Sequence, residues 1–392
     1  MIAQFWAALP TVPVTITVSR RSVELLAWAD WRFQWIHPFK DFNGRINRVL
    51  LAALAKLAIL FTPILPLSAL AQAPSVTDPL PSWNDGPAKQ AIVDFVKATT
   101  DSASPKFVPP EERIATFDQD GTLWVEHPVY TQVVYCLDHV GDLVKEKPEL
   151  KDREPFKTVL SGDREAMAKF SMDELFEIVM ATQSGMTVEE FTAEVNKWLA
   201  TAKDPRWHRP YTELVYQPMQ EVLTYLRANG YKTFIATGGS GGFVRPYSLQ
   251  VYGIPPEQVA GTAQPLKYGY DKDGQPILTR EPKVVLNNLD AGKIENFWLM
   301  YGRRPHAAFG NSSNDDQQVL EYVKSGTGAR LSVVVMHDDA EREYAYGPAQ
   351  GLPDTKVGTL SQAMYDMAKK QGWVVISMKN DWKRIFGFES AP

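Results

Sequence analysis

Short apolar runs punctuate the middle and end of the chain, at residues 114–117, 231–236, 306–309, 331–336 and 373–377. Runs of this length, bounded by glycine and polar turns, read as buried strands. Between them apolar residues return at helical spacing. Ahead of the first run, Ile92, Val93, Phe95 and Val96 mark an amphipathic helix over 88–99. Strands alternating with helices predict an α/β fold with a doubly wound parallel sheet. One interval is much longer than the others: residues 130–226 are mostly helical in pattern, and no strand alternation interrupts them. The expected organisation is a core of 86–129 and 227–392 with an inserted helical cap of 130–226.

The amino-terminal part differs in character. The apolar segment 49–73 has Arg45, Arg48 and Lys56 on its amino side and ends in Ala71, Gln72 and Ala73, a small-residue cleavage site. This is the layout of a secretory signal peptide, and it predicts export to a periplasm or beyond the cell. An uncleaved membrane anchor and a buried helix are the alternatives, although Pro63 and Pro66 argue against a long unbroken helix. Residues 74–85 are rich in Pro, Ser and Asp, a linker composition.

Composition narrows the partners. The 392 residues are 44% hydrophobic, enough for a full core, and the formal net charge is -5. No basic stripe with interleaved aromatics is present, so nucleic acid is not an expected partner. The single cysteine, Cys136, excludes an internal disulfide and a cysteine metal cluster, and reads as a small buried hydrophobe.

Candidate chemistry gathers at the ends of the predicted strands. The first run delivers Asp118 and Asp120 into a turn at Gly121, at the strand end where open α/β sheets place their ligands. The second ends at Thr237 and runs into Gly238, Gly239, Ser240, Gly241 and Gly242. A hydroxyl beside glycine N–H groups suits a phosphate. Phosphoryl transfer also needs a cation, for which Lys293 is the first choice and Lys283 the alternative. The run at 306–309 leads into Asn311, Ser313, Asn314, Asp315 and Asp316, oxygen donors suited to a hard divalent ion.

In this order the four turns resemble the motifs of the haloacid dehalogenase (HAD) superfamily, over residues 86–345. The helical insertion, the 218–239 run and the hairpin-like 264–278 segment look most like its phosphoserine-phosphatase-like members. The resemblance implies a Mg²⁺-dependent phosphatase for small phosphorylated metabolites, with Asp118 as nucleophile and Asp120 as acid and base. Thr237, Gly238 and Lys293 would hold the phosphoryl group, and Asp118, Asp120 through its backbone carbonyl, Asn311 and Asp315 the metal. Asn311 departs from the family pattern, which commonly has an aspartate there. A phosphate-binding relative without turnover is therefore one rival reading. Arg206, His208 and Arg245 are candidate substrate contacts.

A second resemblance lies at 28–48, where His37, Pro38, Phe39, Asp41, Asn43, Gly44, Arg45 and Arg48 match the Fic-family signature, with Phe42 where a glycine is commoner. It implies nucleotidyl (AMP) transfer to a protein hydroxyl. Only 36 residues precede His37 and the apolar segment follows at once, so residues 1–48 read as a remnant of such a domain.

Overall fold

A computed structural model describes residues 78–389. The Fic-like stretch and the apolar segment at 49–73 lie outside the described residues. Among the described residues, no helix is long and apolar enough to cross a membrane.

Helix α1 (Pro87–Thr100) precedes strand β1 (Ile114–Phe117). The long interval holds α2 (Thr131–Glu146), α3 (Phe156–Ser161), α4 (Arg164–Met167), α5 (Met172–Thr182) and α6 (Val188–Thr201). Then come α7 (Gln217–Ala228), β2 (Lys232–Ser240), α8 (Gly241–Tyr252), β3 (Val259–Thr262) and the hairpin β4 (Leu266–Tyr270) with β5 (Pro276–Arg280). The chain continues through α9 (Ala291–Met300), β6 (Ala307–Gly310), α10 (Gln317–Lys324), β7 (Leu331–Met336), α11 (Gln362–Gln371), β8 (Val374–Ser377) and α12 (Met378–Asp381).

Six strands form one sheet in the order β3-β2-β1-β6-β7-β8, and every neighbouring pair is parallel. From β1 the chain winds outward through β2 to β3, then crosses to the other side of β1 and winds outward again. The boundary between β1 and β6 is thus the topological switch point, where the crevice outside the strand ends binds ligands in such sheets. Phe117 lies opposite Ile235 on one side and Phe309 on the other, and the Phe117 and Phe309 rings stack at 4.3 Å.

Burial explains why these strands read as unbroken apolar runs. Ile235, Phe309, Val333 and Val335 enter a core with Ile92, Val96 and Val222, while their neighbours Ala236, Ala308 and Val334 enter a second with Phe297, Leu320 and Met364. Successive side chains point to opposite faces, so a sheet covered by helices on both sides needs apolar residues at every position. Each fully buried Val, Leu or Phe contributes roughly 1.5–3 kcal/mol.

Inside the long insertion, α5 and α6 each begin with a capping box, Ser171 with Glu174 and Thr187 with Glu190. Helix α2 packs on α5, and α6 packs on α8 of the core. Helix α7 packs on β2 and so belongs to the layer covering the sheet. The β4–β5 hairpin is tied to the insertion by paired backbone bonds, Gly185 N–H to Arg280 O and Arg280 N–H to Met186 O, both 2.9 Å. Edge strand β3 escapes the sequence pattern because its four residues, Val-Ala-Gly-Thr, offer no sustained apolar run. Gly261 within it lies against Gly241, where a side chain would come within 2.4 Å of the Gly241 nitrogen.

Candidate active site

The turn after β1 is held from several directions. Gly121 has φ +70, and a Cβ there would fall 2.2 Å from Asn311 Nδ2 and 2.3 Å from Glu126 Oε1, so any side chain would be strained and would displace both. The Trp124 indole donates to Asp120 Oδ1 at 2.7 Å, fixing one oxygen of that carboxylate while Trp124 stacks on Tyr247. Behind the turn, His337 Nε2 reaches the Gly121 carbonyl at 2.8 Å and Nδ1 reaches Glu343 Oε2 at 3.1 Å. A carbonyl can only accept, so Nε2 carries a proton, and the Glu343 carboxylate favours a second one on Nδ1. Burial opposes that charge, but the bond to Glu343 outweighs it and holds His337 above the usual imidazole range.

Strand β2 ends in a bulge. Thr237 pairs with Gly261 and the next match is Ser240 with Thr262, so Gly238 and Gly239 form an excursion out of the ladder. Thr237 Oγ1 accepts from Gly239 N–H at 3.0 Å, and Ser240 N–H donates to Gln132 Oε1 of α2 at 2.8 Å. A Cβ on Gly238 would come within 2.4 Å of Leu289 Cδ2 and 3.0 Å of Asp315 Oδ2. Glycine at this position lets the turns after β2 and β6 meet.

Lys293, in the first turn of α9, is wholly buried and joins the parts. Its Nζ lies 3.0 Å from Asp118 Oδ1, 2.6 Å from Asp315 Oδ2 and 2.8 Å from Asp316 Oδ1. Asp316 uses its other oxygen to accept from the N–H groups of Asn311 (2.9 Å) and Ser312 (3.1 Å), which fixes the turn after β6. Lys283 is exposed and has no such role, so of the two lysines only Lys293 reaches the site.

The electrostatics of the cluster are unbalanced. Three carboxylates (Asp118, Asp315, Asp316) against one ammonium leave two negative charges over. Burial and then repulsion from Asp316 push Asp118 well above the carboxylate range, and burial pushes Asp120 and Asp315 up to about 6. Lys293 is raised in turn: burial works against its charge, but attraction from Asp118 and then Asp315 prevails. Oxygens of Asp118, Asp315 and Asp316 lie within 4.8 Å of one another, and a hard divalent cation matches both the donor type and the missing charge.

The sequence places Asp118, the Asp120 carbonyl, Asn311 and Asp315 around the metal, and in the structure Asp316 joins Asp118 and Asp315. Side-chain oxygens of Asp118, Asp315 and Asp316 gather in one cluster, and the Asp120 side chain accepts from Trp124. Asn311 Nδ2 donates to Glu126 Oε1 at 2.6 Å, and Thr122 Oγ1 reaches Asn311 Oδ1 at 3.3 Å. Glu126 also accepts from Tyr346 at 2.8 Å, and burial pushes its carboxyl up to about 8 against the pull of His337.

Sequence reasoning missed Trp124, Glu126 and His337. The one local sign was Glu126, an acid closing the otherwise apolar Leu123-Trp124-Val125 stretch. The candidate substrate contacts Arg206 and Arg245 are tied to backbone carbonyls. Arg206 donates to the Ala340 and Glu341 carbonyls, Arg245 to the Val259 carbonyl, and His208 is exposed with φ 55.

Residues 112–270 match the family model of the haloacid dehalogenase-like hydrolases. That span holds Asp118, Asp120 and Thr237 and stops short of Lys293 and Asp315. No curated protein matches the chain. Among solved structures, the chain is similar to a conserved protein of unknown function from Anaerococcus prevotii DSM 20548, at 15% identity and TM-score 0.45, covering 64% of this chain and 86% of that one. A protein of unknown function from Bordetella pertussis Tohama I is 15% identical with TM-score 0.42, covering 68% and 98%. A phosphoserine phosphohydrolase-like protein from Francisella tularensis subsp. tularensis SCHU S4 is 17% identical with TM-score 0.32, covering 57% and 88%.

Proposed function

We propose that this protein, matched over residues 112–270 by the haloacid dehalogenase-like hydrolases, is a Mg²⁺-dependent phosphatase acting on monoesters of small organic molecules. The observation that carries this reading is Lys293, whose one ammonium draws Asp118 and the Asp315–Asp316 turn together at the switch point of the sheet.

Asp118 attacks phosphorus, forming a P–O bond to its carboxylate as the bond to the leaving alcohol breaks. Asp120 gives its proton to the departing oxygen. It then takes a proton from the water that attacks phosphorus and frees Asp118. Burial suits Asp120 to both tasks, since a carboxyl raised to about 6 holds and releases a proton near neutral pH. Thr237, the Gly238–Gly239 turn and Lys293 supply donors for the phosphoryl oxygens. Asp118, the Asp120 carbonyl, the Asn311 amide oxygen and Asp315 would hold Mg²⁺, which when bound neutralises charge between the nucleophile and the phosphate. We assign the insertion of α2 to α6 the role of a cap that selects the alcohol.

The reading predicts that the full chain releases phosphate from p-nitrophenyl phosphate with Mg²⁺, stops when the metal is chelated, and recovers when Mg²⁺ is restored. Nucleotide transfer dependent on His37, with no phosphate release from any monoester, would overturn it.

A further inference from the structure

The turn that carries Thr237 and the helix that carries Lys293 are joined by a side chain outside both motifs. Asn288 is wholly buried in the segment ahead of α9, and its amide nitrogen donates to the Thr237 carbonyl at 2.8 Å and to the Ala260 carbonyl at 3.3 Å. Carbonyls only accept, so the amide oxygen is left to α9, where Asn296 Nδ2 donates to it at 2.8 Å. Asn296 stands about one turn after Lys293 on the same helix. The Asn288 N–H donates to Thr262 Oγ1 at 3.1 Å, and that hydroxyl donates to the Gly238 carbonyl at 2.7 Å. One residue thus holds two successive carbonyls of the turn after β2, the first directly and the second through Thr262. A planar trans peptide sends its N–H opposite to its carbonyl, so the Gly238 and Gly239 N–H groups are turned the other way. The Gly239 N–H donates to Thr237 Oγ1 at 3.0 Å, and the hydroxyl proton of this buried threonine has no acceptor among the described residues. The turn also lies against the acidic cluster: a Cβ on Gly238 would come within 3.0 Å of Asp315 Oδ2, the oxygen that Lys293 binds at 2.6 Å.

We propose that Asn288 is a positioning residue for phosphoryl binding, tying the turn after β2 to α9 so that the Thr237 hydroxyl and the Lys293 ammonium meet one anion at a set spacing. Donors fixed before the anion arrives cost no reorganisation as charge builds on it. Asn288 touches no reacting atom and acts through the peptide planes it restrains. An amide suits the task, because a carboxylate of the same shape offers no donor to either carbonyl. This inference rests on the phosphatase reading above.

The test uses the full chain with Mg²⁺ and measures kcat/KM for p-nitrophenyl phosphate together with competitive inhibition by inorganic phosphate. Asn288→Ala is expected to lower kcat/KM about 100-fold, the cost of a misplacement of about 1 Å, and to weaken inhibition by phosphate. Thr262→Val keeps the shape of the side chain but loses the hydroxyl, and is expected to weaken both in the same direction. Thr262→Ser keeps the hydroxyl and is expected to stay near the wild-type level in both. A purely structural role would lower the melting temperature of Asn288→Ala and leave phosphate inhibition of the folded protein unchanged, and that result overturns the proposal. Should Asn288→Ala not fold, the two Thr262 variants decide, and a folded Thr262→Val variant inhibited by phosphate as the wild type is overturns it. A wild-type chain that neither releases nor binds phosphate overturns the phosphatase reading itself, and this inference with it.

Discussion

Asp118→Asn is expected to remove phosphate release almost completely, by about four orders of magnitude or more, while the protein stays folded. Loss of a covalent nucleophile removes the reaction path and leaves only what binding and charge stabilisation give. The fold is expected to survive because Asp118 is a strained carboxylate: it lies buried beside Asp316, and both raise its cost of ionisation. An amide of the same shape relieves part of that repulsion. The melting temperature without Mg²⁺ should therefore be equal to that of the wild type or higher, and the comparison separates lost chemistry from lost structure. Substantial turnover by the folded variant would sink the assignment of Asp118.

Lys293→Met is expected to cost both activity and stability. Lys293 is the one cation within 3.0 Å of Asp118, Asp315 and Asp316 among the described residues, and its removal leaves three acids facing one another, two of them buried. Breaking a buried ion pair by removing one partner costs about 3–5 kcal/mol, which for a domain of this size is a fall of roughly 10 °C in melting temperature. Mg²⁺ should recover part of that loss, since it answers the same surplus of charge. Lys283→Met, at an exposed position, is expected to change stability by less than about 0.5 kcal/mol. Lys293→Arg keeps the charge but replaces a compact ammonium by a planar fork, so activity is not expected to return. A Lys293→Met variant as stable as the wild type would contradict the central place given to this residue.

These expectations mix what the sequence reveals with what it hides. Strands β1 and β7 are found at the positions their apolar runs mark, because a strand covered on both faces leaves a continuous signal. The places of Asp118, Thr237 and Asp315 follow from the carboxyl ends of β1, β2 and β6, since the chemistry of an open sheet collects there. The choice between Lys293 and Lys283 rests on burial, which helical spacing within a single segment does not determine. The orientation of Asn311 depends on Glu126, 185 positions earlier, and the hold on Gly121 depends on His337, 216 positions later. Both are set by the packing of separate strand-end turns against each other. The local pattern at 311 shows an amide in a polar turn, and only the folded chain ties its nitrogen to Glu126.

The most direct test of the account is to trap the phosphoryl group on the protein. Asp120→Asn removes the base that activates water, while p-nitrophenol is a good enough leaving group to depart without an acid. The full-length variant is mixed with p-nitrophenyl phosphate and Mg²⁺, quenched in acid, digested and mapped by mass spectrometry. The account predicts one phosphoryl group, carried on Asp118. Phosphate release without any adduct, or an adduct on another residue, would contradict it.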